Sequence, residues 1–179
     1  MSLKENYFQL FEVPEQYRLD ESALRATYRE LQRKTHPDKF AGGSEHEQLL
    51  AVQYAATIND AYDVLTSPLK RAIYMLSLKG VDLDDQASGA MDPLFLMAQM
   101  ELREELEQAE HSSDPEAALE KVAEHLDGEM TQLQAAFVEQ YEKGCEAELA
   151  AAVETVKKMQ FLAKVQVDLE HLEHELLVD

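Results

Sequence analysis

His36-Pro37-Asp38 sets an imidazole and a carboxylate on either side of a proline. Proline lacks a backbone donor, cannot continue a helix, and pushes the residue before it towards extended backbone. Both side chains are therefore expected to project from a rigid, exposed turn and not from a pocket. Such a turn suits docking to another protein better than acid–base catalysis. Just upstream, Arg25, Arg29 and Arg33 recur every four residues and so share one helix face. Lys34 and Lys39 extend the run, giving five basic residues against two acidic ones from Arg25 to Lys39. Taken alone, the tripeptide is an ordinary helix-ending turn and the arginines are a solvated face.

Other chemistry-bearing residues make weaker patterns. His171 and His174 stand three apart, which is more often a solvated helix end than a metal site. A di-iron bundle needs two Glu-x-x-His motifs, and the chain has none. Cys145, the single cysteine, has no His or basic residue directly beside it in sequence to activate it. It excludes a disulfide framework within the chain and a tetracysteine zinc site. Neither a Gly-rich phosphate loop nor a nucleophile elbow is present. The expectation is a non-enzyme without cofactor or metal.

Charge divides the chain. Of 179 residues, 16 are Lys or Arg and 36 are Asp or Glu, a net of −20. Residues 1–80 carry a net of −1 and residues 81–179 a net of −19. A surface that acidic repels nucleic acid and anionic membranes and favours a basic partner or a solvated face. Hydrophobic residues make up 45%, enough for a packed core. No run of about 18 apolar residues and no basic-then-apolar leader occurs, so neither a membrane span nor a secretory signal is expected. With no room for a transit peptide before the first helix, a cytoplasmic protein is expected.

The elements that must position these residues are helices. Ser44-Glu45-His46-Glu47 is a capping box. Ser67-Pro68, Asp92-Pro93 and Asp114-Pro115 each set a capping side chain before a proline at the first helical position. Gly80 and Gly144 are C-terminal stops. These signals predict helices near 4–11, 20–35, 44–66, 68–79, 93–111, 115–142 and 146–177. No useful stretch alternates with period two, so no sheet is expected. Leu24, Tyr28, Leu31 and Thr35 form one inward stripe, and Tyr54, Ile58, Ala61, Tyr62 and Leu65 another. The two helices should pair antiparallel, with His36-Pro37-Asp38 at the tip. Residues 81–91, with three aspartates and Gly89, read as a linker.

The helix after Asp92 has two apolar faces. At 100° per residue, Phe95, Ala98, Leu102, Leu106 and Ala109 fall within an arc of about 80° and form the expected core stripe. Leu96, Met97 and Met100 lie roughly opposite, among Glu101, Glu104, Glu107 and Gln108. One helix contact cannot bury both faces, so the second strip is either sandwiched or exposed. An acidic ring is costly to bury, which favours exposure. A Met-rich strip ringed by acids fits a partner with a basic rim.

Four stretches together resemble a J-domain, the module that activates heat-shock ATPase chaperones. They are Asn6-Tyr7-Phe8-Gln9-Leu10-Phe11-Glu12-Val13-Pro14, Tyr28 to Phe40, Ile58-Asn59-Asp60-Ala61-Tyr62-Asp63-Val64-Leu65, and Ser67-Pro68-Leu69-Lys70-Arg71-Ala72-Ile73-Tyr74. Phe40, the phrase Arg71 to Gly80, and Phe95 to Leu106 are further similar to the HscB-type co-chaperones of iron–sulfur cluster assembly. That resemblance implies an all-α chain: a J-domain over 1–80, in which an antiparallel helical hairpin is flanked by short helices, the 81–91 linker, and a three-helix client-binding domain over 92–179. It implies that His36, Pro37, Asp38, Arg25, Arg29, Arg33, Lys34 and Lys39 meet an HscA-type chaperone, with Asp38 offered to a chaperone arginine. It also implies that Leu96, Met97, Met100, Glu101, Glu104 and Phe161 touch an IscU-type scaffold. Ala98 and Gln108 depart from usually acidic positions of the family. Phe161 also lies close to the stripe Leu162, Val165, Leu169, Leu172, Leu176, which leaves a core position as its alternative. A J-protein for another client, or an acidic adaptor with a vestigial loop, remain the other readings.

Overall fold

Asn6 starts the first helix of the computed structural model, which describes residues 6–36, 39, 42–83 and 93–178. Its side chain accepts from the Gln9 amide at 2.9 Å, while Gln9 Oε1 accepts from the Asn6 amide at 3.0 Å. This capping box confines α1 to Tyr7–Leu10, shorter than the stretch expected from sequence. The far end closes as a Schellman motif: Glu12 is left-handed at φ 55°, Val13 donates to the Phe8 carbonyl and Glu12 to that of Gln9.

The other helices are α2 (Glu21–Thr35), α3 (Glu45–Thr66), α4 (Pro68–Leu78), α5 (Pro93–Glu110), α6 (Pro115–Lys143) and α7 (Glu146–Val178). No strand occurs among the described residues, and the fold is all-α. Ser44, Ser67 and Asp114 cap α3, α4 and α6. Asp92 and most of the expected linker, 84–91, lie outside the described residues. No described helix is long and apolar enough to cross a membrane. The chain divides into two units, Met1–Lys79 and Gly80–Asp179.

In the first unit α2 and α3 form an antiparallel hairpin. Tyr28 stacks on Tyr62 with ring centroids 4.0 Å apart, and its hydroxyl donates to Asn59 Oδ1 at 2.9 Å. Leu24, Leu31, Ile58, Ala61 and Leu65 are buried between them. Phe8 and Phe11 dock α1 onto this core, and Tyr7 stacks on Tyr74 of α4 at 4.5 Å while its amide donates to the Tyr74 hydroxyl. Arg71 is an anchor that periodicity did not reveal. It is buried, donates from Nε to the Leu65 carbonyl at 2.8 Å and from Nη1 to the Tyr17 carbonyl, and sits 5.4 Å from the Tyr17 ring centre. A buried guanidinium is tolerated when carbonyls take its donors.

The second unit is a three-helix bundle. Leu102, Leu106 and Ala109 of α5, Leu119, Val122 and Leu126 of α6, and Leu162, Val165 and Leu169 of α7 share one core. Gly144 turns the α6–α7 connection at φ 62°, where a side chain would be strained, and its amide donates to the Gln140 carbonyl at 3.2 Å. Beyond the shared core α6 and α7 continue as a pair, burying Phe137, Val153, Val156 and Met159. The expected α5 stripe is corrected at its start. Ala98 is exposed and Phe95 only half-buried, because the first turns of α5 stand over a cavity of about 340 Å³ lined by Phe95, Ala98, Leu102, Leu133, Phe161 and Leu162.

Candidate docking surfaces

On the first unit the basic residues sort into two groups. Arg25, Arg29 and Arg33 are exposed along α2, and among the described residues none of them, nor Lys39, takes part in an ion pair. Lys34 differs. It pairs with Glu30, one turn earlier, at 2.7 Å. The hydrogen bond and charge of Lys34, with a smaller push from Arg33, hold the Glu30 carboxyl below its usual range. Lys34 is thus partly neutralised, while the arginines present open charge. Arg29, Arg33, His36 and Lys39 line one shallow concavity together with Gln32; Arg25 and Lys34 do not reach it.

His36 ends α2 with φ −55° and ψ 126°, the extended backbone required before proline. Its ring is exposed and its carbonyl accepts from the Lys39 amide at 3.0 Å. Pro37, Asp38 and Phe40 lie outside the described residues.

On the second unit the α5 strip is open. Leu96, Met97 and Met100 are 43%, 57% and 63% exposed, and Glu101 and Glu104 beside them are exposed. Phe161, from α7, is half-buried: one edge packs on the core and the ring meets Phe95 edge to face at 5.7 Å and 88°. Sequence reasoning missed Arg103. Its guanidinium lies 5.9 Å from the Phe161 ring centre, within the range of a cation–π contact. The signal was available, since Arg103 follows Met100 by three residues and so shares its face. Lys158 sits over the other ring, 5.6 Å from the centre of Phe95. The aromatic pair is therefore flanked by a cation at each end. Among the described residues no group of His, Cys, Asp and Glu could hold a metal ion. Cys145 is an exposed free thiol, and His171 and His174 are exposed.

An antiparallel hairpin whose first helix ends at an exposed His36, with an exposed basic face, is the arrangement of a J-domain protein. The DnaJ-domain family matches residues 6–74, and the family described as the HSCB C-terminal oligomerisation domain matches residues 91–170. A protein called a co-chaperone HscB homolog in Vibrio cholerae is 46% identical over 173 residues, covering 96% of this chain and 99% of that protein. One from Shewanella woodyi is 42% identical over 96% of this chain and 98% of its own. Among solved structures, chaperone HscB from Vibrio cholerae superposes with a TM-score of 0.86 at 43% identity, covering 96% of this chain and 99% of that one. The human co-chaperone protein HscB does so with a TM-score of 0.85 at 25% identity, covering 97% and 84%. The chain belongs to the HscB family of J-domain co-chaperones.

Proposed function

We propose that this protein delivers an IscU-type iron–sulfur cluster scaffold to a dedicated HscA-type heat-shock ATPase chaperone and stimulates the chaperone's ATP hydrolysis. The observation that carries this reading is the pairing, in one chain, of an exposed basic face ending at His36 with an exposed Leu96–Met97–Met100 strip rimmed by Glu101 and Glu104. The first surface suits an acidic patch on a chaperone. The second suits an apolar patch with a basic rim on a client. Hydrolysis belongs to the chaperone. This chain raises its rate by supplying the trigger at His36, Pro37 and Asp38 and by holding the client at high effective concentration.

The test is steady-state ATPase measurement on an HscA-type chaperone with this protein, with and without the scaffold. Stimulation by this protein, increased further by scaffold, supports the reading. Stimulation indifferent to scaffold points to a J-protein for another client. Failure to stimulate leaves an acidic helical adaptor with a vestigial loop.

A further inference from the structure

The outward face of α3 carries an apolar strip that neither docking surface uses. At 100° per residue, Glu45, Leu49, Val52, Ala56, Asp60 and Asp63 fall within an arc of about 80°. The buried residues of the same helix, Ala51, Ile58, Ala61 and Leu65, fall within a second arc centred about 180° away. All six outward residues are exposed, Leu49 by 56% and Val52 by 54%. The order along the face is acid, three apolar residues, then two acids. Its last acid, Asp63, is paired with Lys70 at 2.6 Å, while Glu45 leads the strip from the first turn of the helix.

Position identifies the occupant. Tyr28 and Gln32 of α2 both reach Asn59, and Tyr28 stacks on Tyr62. On that register the end of α2 at Thr35 lies near residue 56 of α3. The first eleven or so residues of α3, about 16 Å of helix, therefore extend past the end of α2. Gln48 ties this stretch to the preceding connection by donating to the Gly43 carbonyl at 3.1 Å. A protein seated on Arg29, Arg33, His36 and Lys39 abuts these turns.

We propose that Leu49, Val52 and Ala56 form a second contact for the chaperone, receiving an apolar patch edged by basic side chains. This inference rests on the reading that the chaperone docks at the His36 turn. The J-domain unit then presents two complementary signs: a basic face for an acidic surface, and an acid-bracketed apolar strip for a basic-edged one. Opposed signs on adjoining faces fix the orientation of docking as well as its strength.

The test is chaperone ATPase stimulation titrated with the full-length Leu49→Gln/Val52→Gln variant. Glutamine keeps helix propensity, and both sites are more than half exposed, so the thermal melt should match that of the wild type. The half-saturating concentration should rise about tenfold, the usual scale for losing a small apolar contact centre, while maximal stimulation is unchanged because His36, Pro37 and Asp38 are untouched. Glu45→Gln should give a smaller rise that vanishes at high salt. Should the double variant melt early, Val52→Gln alone should still raise half-saturation by about threefold. Unchanged half-saturation by a folded variant overturns the inference, as does a lost plateau at unchanged half-saturation. A lower sedimentation coefficient for the variant alone would assign the strip to self-association and overturn it too. If the wild type itself fails to stimulate, the underlying functional reading fails, and this inference with it.

Discussion

Phe95 and Phe161 meet edge to face at 5.7 Å and tie the first turns of α5 to α7. These turns carry Leu96, Met97 and Met100 on their outer side and stand over a cavity on their inner side. The aromatic pair therefore connects the exposed strip to the bundle where the core beneath it is thin. Phe161 contributes to packing while keeping part of its ring exposed.

Phe161→Ala should lower stability by about 1–2 kcal/mol, less than the 3–5 kcal/mol typical of a fully buried phenylalanine, and should also weaken scaffold binding. Arg103→Gln separates two causes. If Arg103 acted only through charge, its removal would make the rim more acidic and tighten a basic scaffold. If it holds the Phe161 ring, binding weakens and Arg103→Lys restores part of it. Isothermal titration of the two variants against scaffold reads the sign.

Replacing Leu96, Met97 and Met100 together by Ala should leave the melting temperature almost unchanged, since all three are exposed. Buried residues would instead cost about 2–5 kcal/mol each. Scaffold affinity should fall sharply, because a few central apolar residues dominate an interface. Basal ATPase stimulation should survive. Normal scaffold binding by the stable variant would place the client elsewhere.

His36→Gln should abolish ATPase stimulation while circular dichroism and scaffold binding stay as in the wild type, because an exposed turn residue contributes little to packing. Retained stimulation would remove the trigger role from this turn.

Charge reversal at Arg29 or Arg33 should weaken chaperone binding more than Lys34→Glu does. The arginines line the concavity beside His36, whereas Lys34 is already paired with Glu30. Wild-type binding should also weaken with added salt, as exposed charges are screened beyond about 10 Å at 0.1 M. Surface plasmon resonance at two ionic strengths tests both statements, and an equal effect at all three positions would sink the distinction.

Burial, only partly offset by the nearby Arg71 guanidinium, pushes the Tyr17 hydroxyl up to about 12 from an ordinary 10.0. Its folded value is raised, so the neutral phenol is the form the fold favours. The contribution is complete below pH 10 and is lost as pH rises towards 12, amounting to about 2–3 kcal/mol at the limit. Urea unfolding at pH 9, 10.5 and 12 should show this loss in the wild type and a shallower one in Tyr17→Phe. Parallel curves would mean that Tyr17 ionises freely in the folded protein.

Helix identity was legible in the sequence because caps and breakers are local. Ser44, Ser67, Asp114 and Gly144 act on backbone groups within one turn, and their helices begin and end within a residue or two of expectation. The basic run and the two-faced α5 were legible for a similar reason, since periodicity alone puts residues on a face. What lay opposite each face was not. The basic run groups Lys34 with the arginines, although its pairing with Glu30, one turn away on the same helix, is local and is carried by sequence spacing too. Periodicity placed Ala98 in the core because a helix stripe carries no information about where its neighbours stop covering it. Nothing local marks Arg71 as buried: the carbonyls of Leu65 and Tyr17, 6 and 54 residues away in sequence, converge on it. Only tertiary structure brings such distant partners together, and so only it decides which charged side chains are buried and which remain open to another protein.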